Sequence, residues 1–471
     1  MNSGRIIKHS LCLLFAISVL QSKAGNKIKI YFNHPVDNSV STGVNAVDAG
    51  GSVADTIVAY INRSKYTIDI AQYDYNQSSY ANIATAINNA FSRGVSVRWI
   101  YDGSSSNTGL TLLNGGIHTL GSPTSSAYSI MHNKFVVIDA NSTDPSDATV
   151  ITGSFDWSSE QFNTDYNNAV ILQDSAIAHA YTAEFNMMWG DTGQAPNISA
   201  SKFGPFKTDL GRHSFTIDGH NVELYFSPSD GTNTHIQGAI SSANTDLYFG
   251  MYTFTDNSDA TLIVSKHTGG VYVAGIDDSY SNSYSPHGTF TSGLGSNFKV
   301  YSGVGIYHNK FMIVDPSDIC SDPQVLTGSH NWSVSANTTN DENTIIIHDD
   351  TSANIYYQSF HADFAGMGGT LSTIPGCVTA VQTAANTENE LAAFPNPSNG
   401  TVTISYQLPV SQKMTIALYT ITGQKIATVA DGETQAAGRY NYELKIAQAG
   451  MYFVCMDSEQ GRFMRRLVVA Q

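Results

Sequence analysis

Two short segments of this 471-residue chain carry side chains that could act together on a phosphorus centre. They are His132-Asn133-Lys134-Phe135 and His308-Asn309-Lys310-Phe311, each followed by an Asp, Asp139 and Asp315, at the same spacing. On a β-strand, period-two alternation puts His and Lys on one face and Phe on the other. Each segment has a Gly-Ser step downstream, Gly153-Ser154-Phe155-Asp156-Trp157 and Gly328-Ser329-His330-Asn331-Trp332. Transfer at phosphorus needs a nucleophile, an acid for the leaving group and cations for the nonbridging oxygens. Two imidazoles and two ammonium groups supply all of these. One imidazole attacks to form a phosphohistidine; the other protonates the departing alcohol and then activates water. Lys134 and Lys310 would hold the phosphoryl oxygens, with Ser154, Asp156, Ser329 and Asn331 completing the pocket. Asp139 and Asp315 read as braces for the strand ends, and Trp157 and Trp332 as packing residues.

The elements that position these residues are themselves duplicated. Residues 28–32 (Ile-Lys-Ile-Tyr-Phe) parallel 222–226 (Val-Glu-Leu-Tyr-Phe), both alternating as strands do. Helical patterns at 56–61 and 235–240 follow, then strands at 68–75 and 247–254 that place Tyr73 and Tyr252 in equivalent positions. Helix, strand and a motif-bearing strand come next in both copies: 83–91, 95–101 and 132–138, then 259–265, 271–276 and 308–314. Alternating strands and helices predict an α/β layer in each half. The copies drift in register mainly across 38–52, a Gly/Ser/Asn-rich insertion, and 190–219 reads as the connection between halves.

These motifs resemble the HKD motif of the phospholipase D superfamily, over nearly the whole chain before Cys377. The resemblance implies an α/β fold of two pseudosymmetric lobes, each a mixed sheet flanked by helices, with both motifs meeting at the interface. It also implies catalysis without a metal or other cofactor, and a phospholipid or other phosphodiester as substrate. The family usually has an acidic residue after the Gly-Ser step. Here the second copy has Asp341-Glu342-Asn343 and the first Tyr166-Asn167-Asn168. Glu342 is expected to accept a hydrogen bond from His308, making that imidazole the general acid. His132, beside the pocket residue Asn167 or beside Asp165, would then stay neutral as the nucleophile. Asp156 departs from the family's usual Asn and Asn167 from its usual acid, and a degenerate, inactive first lobe is the alternative that these departures open.

Domain boundaries follow: a signal peptide over 1–24, lobe 1 over 25–195, lobe 2 over 196–375, a linker over 376–392 and a third domain over 393–471. Arg5 and Lys8 precede the apolar run 11–20 and Ser22-Lys23-Ala24, which offers the small residues Ser22 and Ala24 at a cleavage site, as in a secretory signal. An uncleaved anchor is the alternative, but about ten apolar residues span a bilayer poorly. Export permits a disulfide, and Cys320 with Cys377 could close a loop. No cysteine or histidine cluster has metal-site spacing. The third region alternates as short strands at 402–406, 414–419, 440–444 and 451–456, a small all-β sandwich. Phe394-Pro395-Asn396-Pro397, Gly450-Met451-Tyr452-Phe453 and Arg466-Leu467-Val468-Val469 resemble the C-terminal sorting domain of the type IX secretion system. That implies its export machinery as a partner, and release or attachment at the cell surface. A generic spacer or carbohydrate-binding sandwich is the alternative.

Charge bears on substrate. Residues 27–377 carry 13 Lys and Arg against 32 Asp and Glu, which disfavours tight nonspecific binding to nucleic acid. Phospholipase D activity is therefore the first reading. An extracellular HKD nuclease is the second, and a clustering of Lys65, Arg93, Arg98 and Lys299 at the cleft would favour it. A binding protein built on a dead duplicate is a third, and loss of a motif histidine would have favoured it. Residues 280–290, rich in Tyr and Ser, could line the cleft or form an ordinary loop. Both motifs lie in one chain, so a monomer is expected.

Overall fold

The computed structural model describes residues 27–76, 81–125, 127–279, 286–372, 391–396, 398–408, 410–420, 424–458 and 461–470. The expected signal peptide, most of the expected linker, Cys377 and residues 280–285 of the Tyr/Ser-rich stretch lie outside them. Cys320 is disulfide-bonded.

The first lobe runs β1 (Ile28–Phe32), α1 (Val53–Arg63), β2 (Thr67–Gln72), α2 (Ala81–Ser92), β3 (Ser96–Tyr101), β4 (His118–Gly121), β5 (Lys134–Ile138), β6 (Thr149–Gly153), α3 (Ser159–Asn163), β7 (Asn168–Leu172) and α4 (Ser175–Trp189). The second runs β8 (Ser214–Ile217), β9 (His220–Ser227), α5 (Thr232–Ser242), β10 (Asp246–Met251), α6 (Asn257–Thr268), β11 (Tyr272–Asp278), α7 (His287–Leu294), β12 (Phe298–Tyr301), β13 (Lys310–Val314), β14 (Gln324–Gly328), α8 (Val334–Thr338), β15 (Glu342–His348) and α9 (Asp350–Gly366). Sheet orders are β1-β7-β6-β5-β2-β3-β4 and β12-β11-β10-β13-β14-β15-β9-β8. Read from opposite ends they are the same order, with β8 added as a hairpin. Both are mixed: β2–β3 and β10–β11 pair in parallel, β2–β5 and β10–β13 antiparallel.

The central strands are buried almost throughout because both faces are covered. All five residues of β5 and of β13 are buried. Outside lie α1 and α2 on one lobe and α5, α6 and α7 on the other. Helix α1 shows the usual spacing for this, burying Val53, Ile57, Tyr60 and Ile61 along one stripe. Between the lobes, α4 and α9 share a single core, in which Phe135, Tyr181 and Phe226 meet ring to ring across the seam. The duplication extends to the caps: Asp174 accepts the first free amides of α4, and Asp349 those of α9.

Asp139 and Asp315 brace strand ends as the spacing suggested. Each sits at positive φ, 52° and 49°. Asp139 accepts from the backbone amides of Lys65, Tyr66 and Thr67, and Asp315 from those of Asn244, Thr245 and Asp246. The 38–52 insertion docks on the second lobe, where Asn354 and Gln358 of α9 bond the backbone of Thr42, Val40, Ala46 and Val44. The connection between lobes also reaches the seam. Lys207 is wholly buried, bonded to Glu184, to Asp341 Oδ1 at 2.9 Å and to the carbonyl of Ser227 at 2.8 Å.

The third region is all β. Strands β16 (Leu391–Phe394), β17 (Thr401–Leu408) and β20 (Gly438–Lys445) form one sheet. Strands β18 (Gln412–Thr420), β19 (Lys425–Gln435), β21 (Gly450–Ser458) and β22 (Gly461–Val469) form the other. Val402, Ile404 and Tyr406 from the first and Ile416, Val454 and Leu467 from the second fill one core, making a sandwich.

Candidate active site

The two motifs come together where the lobes meet, and the backbone explains how. Strands were expected to begin at His132 and His308, but β5 and β13 begin at Lys134 and Lys310. The preceding residues pair across the seam instead of within their own sheet. His132 N donates to Asp341 O (2.9 Å) and Asp341 N to Ile130 O (3.0 Å); Tyr166 N donates to Ile306 O (2.9 Å). Each lobe's residues just before β7 or β15 therefore lie against the other lobe's histidine.

This crossing reverses the expected partners. Glu342 accepts from Nδ1 of His132 at 2.8 Å, not from His308, and Asn167 Oδ1 accepts from Nδ1 of His308 at 3.0 Å. The pairing drawn from sequence within one copy was wrong because the copies exchange these residues. Surrounding bonds fix the geometry. Asn167 Nδ2 donates to Gln161 O (3.0 Å), so its oxygen faces the ring. Both imidazoles thus carry a proton on Nδ1 and keep Nε2 available. Glu342, with no exposed surface, also accepts from Ser329 Oγ (2.7 Å) and Asn340 Nδ2 (3.1 Å). Burial alone would raise its pKa, but the His132 ring beside it more than offsets this and holds the carboxyl at about 2. His308 is pushed the other way. Burial first, then the charges of Lys310, Lys134 and His132, hold its pKa well below the usual imidazole value, so the free site carries it neutral.

Ser154 and Ser329 were expected to bind phosphoryl oxygens. Their hydroxyls are instead spent on the histidines' partners: Ser154 Oγ donates to Asn167 Oδ1 (2.7 Å) and Ser329 Oγ to Glu342 Oε2 (2.7 Å). Each also accepts an amide, from Asn168 and Asn343 respectively, both at 3.0 Å. The glycines before them permit this approach. Gly153 and Gly328 have φ of 142° and 145°, and a Cβ there would lie 2.2 Å from Asn168 O and 2.1 Å from Asn343 O.

The lysines line the same seam. Lys134 Nζ lies 3.0 Å from Asp156 Oδ1 and 3.3 Å from His132 O; Lys310 Nζ bonds His308 O at 2.8 Å. Burial, and then Lys134, pushes the Lys310 ammonium well below its ordinary pKa, so an incoming anion would be strongly favoured. Asn331 Oδ1 is buried without a hydrogen-bond partner among the described residues. Two site residues had not been singled out. The Tyr73 ring packs on His132 (4.9 Å) with Lys134 Nζ 4.8 Å from its centroid, and Tyr252 packs on His308 (4.8 Å) with Lys310 Nζ at 5.2 Å. Their equivalence in the duplication was the available signal. Trp157 and Trp332 are core residues, packed on Tyr75 and Trp99 and on Phe254.

Fold and site together define a two-lobed protein with one composite His/Lys centre, and this chain belongs to the phospholipase D-like family. The family model described as "Cardiolipin synthase, PLD-like domain" matches residues 57–189 and 236–364, more than half of the chain. Residues 392–470 match the "Secretion system C-terminal sorting domain". The chain is 30% identical over 151 residues to the mitochondrial cardiolipin hydrolase of Drosophila melanogaster, covering 28% of this chain and 57% of that protein. It is 26% identical over 174 residues to phospholipase D of Rickettsia prowazekii, covering 35% of this chain and 78% of that one. Among solved structures, phosphatidylserine synthase of Haemophilus influenzae superposes with a TM-score of 0.52 at 15% identity, over 71% of this chain and 85% of that one, a likeness of fold.

Proposed function

We propose that this chain is an exported phosphodiesterase working through a phosphohistidine, with glycerophospholipids as substrate in a phospholipase D reaction. The observation that carries this is the pair of imidazoles, each tied at Nδ1 to a partner from the opposite lobe, beside Lys134 and Lys310. The relatives' names, a phospholipase D and a cardiolipin hydrolase, support the lipid reading.

The roles follow from the partners. An imidazole phosphorylated on Nε2 with a proton on Nδ1 is cationic, so the ring facing a carboxylate is the better nucleophile. That ring is His132, the residue expected from sequence, but for the opposite reason. His132 Nε2 forms the P–N bond while the P–O bond to the alcohol breaks, and His308 Nε2 delivers the proton to that oxygen. The diester anion between Lys134 and Lys310 offsets the charges that keep His308 neutral, so substrate binding itself favours protonation of the acid. His308, neutral again, takes a proton from water as that water attacks phosphorus. The P–N bond breaks and the phosphomonoester leaves. Both motifs lie in one chain, so a monomer holds the whole centre.

The cations that would have favoured a nuclease are used elsewhere. Lys65 pairs with Asp147 and Arg98 with Asp69, and Arg93 bonds the carbonyls of Asn62 and Ser64. Lys65, Arg93 and Arg98 lie toward the start of β2, whereas Lys134 pairs with its last residue, Gln72. Lys299 lies over the Phe364 ring.

The test is choline release from phosphatidylcholine vesicles in EDTA, with plasmid cleavage measured on the same protein. Choline release is the expected result. DNA cleavage without choline release would replace lipid by nucleic acid as substrate, and inactivity toward both would overturn the proposal.

The acid role has its own test, Asn167→Asp. A carboxylate at Nδ1 raises the pKa of His308. Activity that depends on protonated His308 falls as pH rises through that pKa, so the alkaline limb of kcat/KM should move to higher pH. The new carboxylate would face Gln161 O, costing about 1–3 kcal/mol of stability. A melting point that falls while the limb stays in place would remove His308 from the acid role.

A further inference from the structure

The two Gly-Ser steps differ at a position beside the catalytic lysines. Asp156 stands in the first copy where Asn331 stands in the second. Asp156 is 7% exposed. Its Oδ1 lies 3.0 Å from Lys134 Nζ and its Oδ2 3.9 Å from His308 Nε2. These are the two nitrogens to which the proposed reaction assigns a nonbridging oxygen and the leaving-group proton. One copy of the pocket wall therefore carries an acidic side chain where the other carries an amide.

The groups around Asp156 set what that charge does. Lys134 faces it from β5, and Lys310 and His308 from the start of β13. Tyr73 and Asp74 face it from the end of β2, and Gln161 Oε1 accepts its amide at 3.4 Å from α3. Burial, and then Asp156 itself, pushes Asp74 up to about 7, so the nearest second carboxyl already resists ionising beside it. Of the carboxyls near the two ammonium groups, Glu342 is turned to His132 and Asp156 faces Lys134 and His308, with Asp74 adding its charge above about pH 7, so at most about one positive charge remains to match a phosphodiester, which carries one negative charge. A phosphomonoester loses its second proton near pH 6 and carries about two. Its additional charge would lie within a few ångström of Asp156, in a buried setting where Coulomb forces are weakly screened.

We propose that Asp156 makes this a monoanion pocket, which admits phosphodiesters, rejects dianionic phosphomonoesters and so helps expel the product of its own reaction. The inference rests on the phosphoryl-transfer reading of the site, but it is measured by binding and needs no turnover.

The experiment titrates the full chain at pH 8 with dimethyl phosphate, a monoanion, and with methyl phosphate, a dianion, followed by phosphorus NMR. Using two ligands at one pH avoids titrating the neighbouring histidines. The wild type should bind dimethyl phosphate at least about tenfold more tightly, equivalent to about 1.4 kcal/mol. Asp156→Asn keeps the shape and copies the second half of the pocket. Removing one negative charge helps a dianion about twice as much as a monoanion, so the preference should fall at least about tenfold. An unchanged preference in Asp156→Asn would overturn the proposal. So would a wild type that binds methyl phosphate as tightly as dimethyl phosphate, a result that stands even if the variant fails to fold. Equal binding with diester hydrolysis intact would sink the monoanion pocket alone, whereas a wild type that neither binds nor hydrolyses phosphates would sink the underlying reading with it.

Discussion

His308→Ala, mixed with bis(p-nitrophenyl) phosphate, should release about one equivalent of p-nitrophenolate per chain and then stall. p-Nitrophenolate departs without a proton, so attack by His132 can proceed without the acid. The second half-reaction cannot, because water attacking the phosphohistidine needs a base, and the imidazole that supplies it is gone. Loss of general acid–base help lowers steady turnover by about 10²–10⁴-fold. The stalled protein should carry one phosphoryl adduct, detectable in intact mass at alkaline pH, where the P–N bond survives. His132→Ala should show no burst and no adduct, with turnover lost at least as completely. An adduct that forms on His132→Ala and not on His308→Ala would exchange the two roles. His308 is buried, and its Nδ1 partner Asn167 Oδ1 still accepts from Ser154 Oγ when the ring is removed. The loss of one neutral hydrogen bond costs about 0.5–1.5 kcal/mol, small enough for the variant to be purified and compared.

The parts of this centre legible in sequence are those that repeat. His132, Lys134, His308 and Lys310 stood out because the same residue types recur at the same spacing inside a duplicated run of elements. The same repetition marked Asp139 with Asp315, and it placed Tyr73 and Tyr252 in equivalent positions without assigning them to the site. It also carried the sheet: buried strands such as β5 and β13 read as apolar runs, and alternation with helices placed them in an α/β layer. What stayed hidden depends on contacts between the copies. His132 and Glu342 are 210 residues apart, and His308 and Asn167 are 141 apart. Nothing local distinguishes a residue facing its own lobe from one facing the other. The exchange becomes visible only when the backbone of Asp341 pairs with that of Ile130 and His132. The serines were misread for a related reason. A hydroxyl can donate to a substrate or to a buried acceptor, and the close approach permitted by Gly153 and Gly328 selects the acceptor. The buried Lys207 could not be read at all, since a lone lysine in a turn-rich connection resembles a solvated one until Glu184 and Asp341 are found on either side of it.

Glu342→Gln should lower kcat by about 10²–10³-fold while moving KM little, the pattern of an interaction that strengthens only as charge develops. Before attack, the Nδ1–H of His132 needs only an acceptor, and the amide oxygen of Gln could fill that place. Along the reaction the ring becomes a phosphoimidazolium, and the carboxylate then faces a cation at 2.8 Å with no solvent between them. An amide cannot repay that charge. Gln would also mismatch its surroundings, because the NH2 group replacing Oε1 would meet the donor Nδ2 of Asn340, now 3.1 Å away. Some stability should therefore be lost as well, about 1–3 kcal/mol for a buried donor left unsatisfied. The kinetic and stability effects separate in Asn340→Ala, which removes that conflict and leaves the carboxylate on His132. Asn340→Ala should cost stability with kcat reduced severalfold at most, and Asn340→Ala/Glu342→Gln should recover melting temperature without recovering kcat. A double variant that regained both would make Glu342 a packing partner of Asn340, and the charge argument for His132 as nucleophile would fall with it.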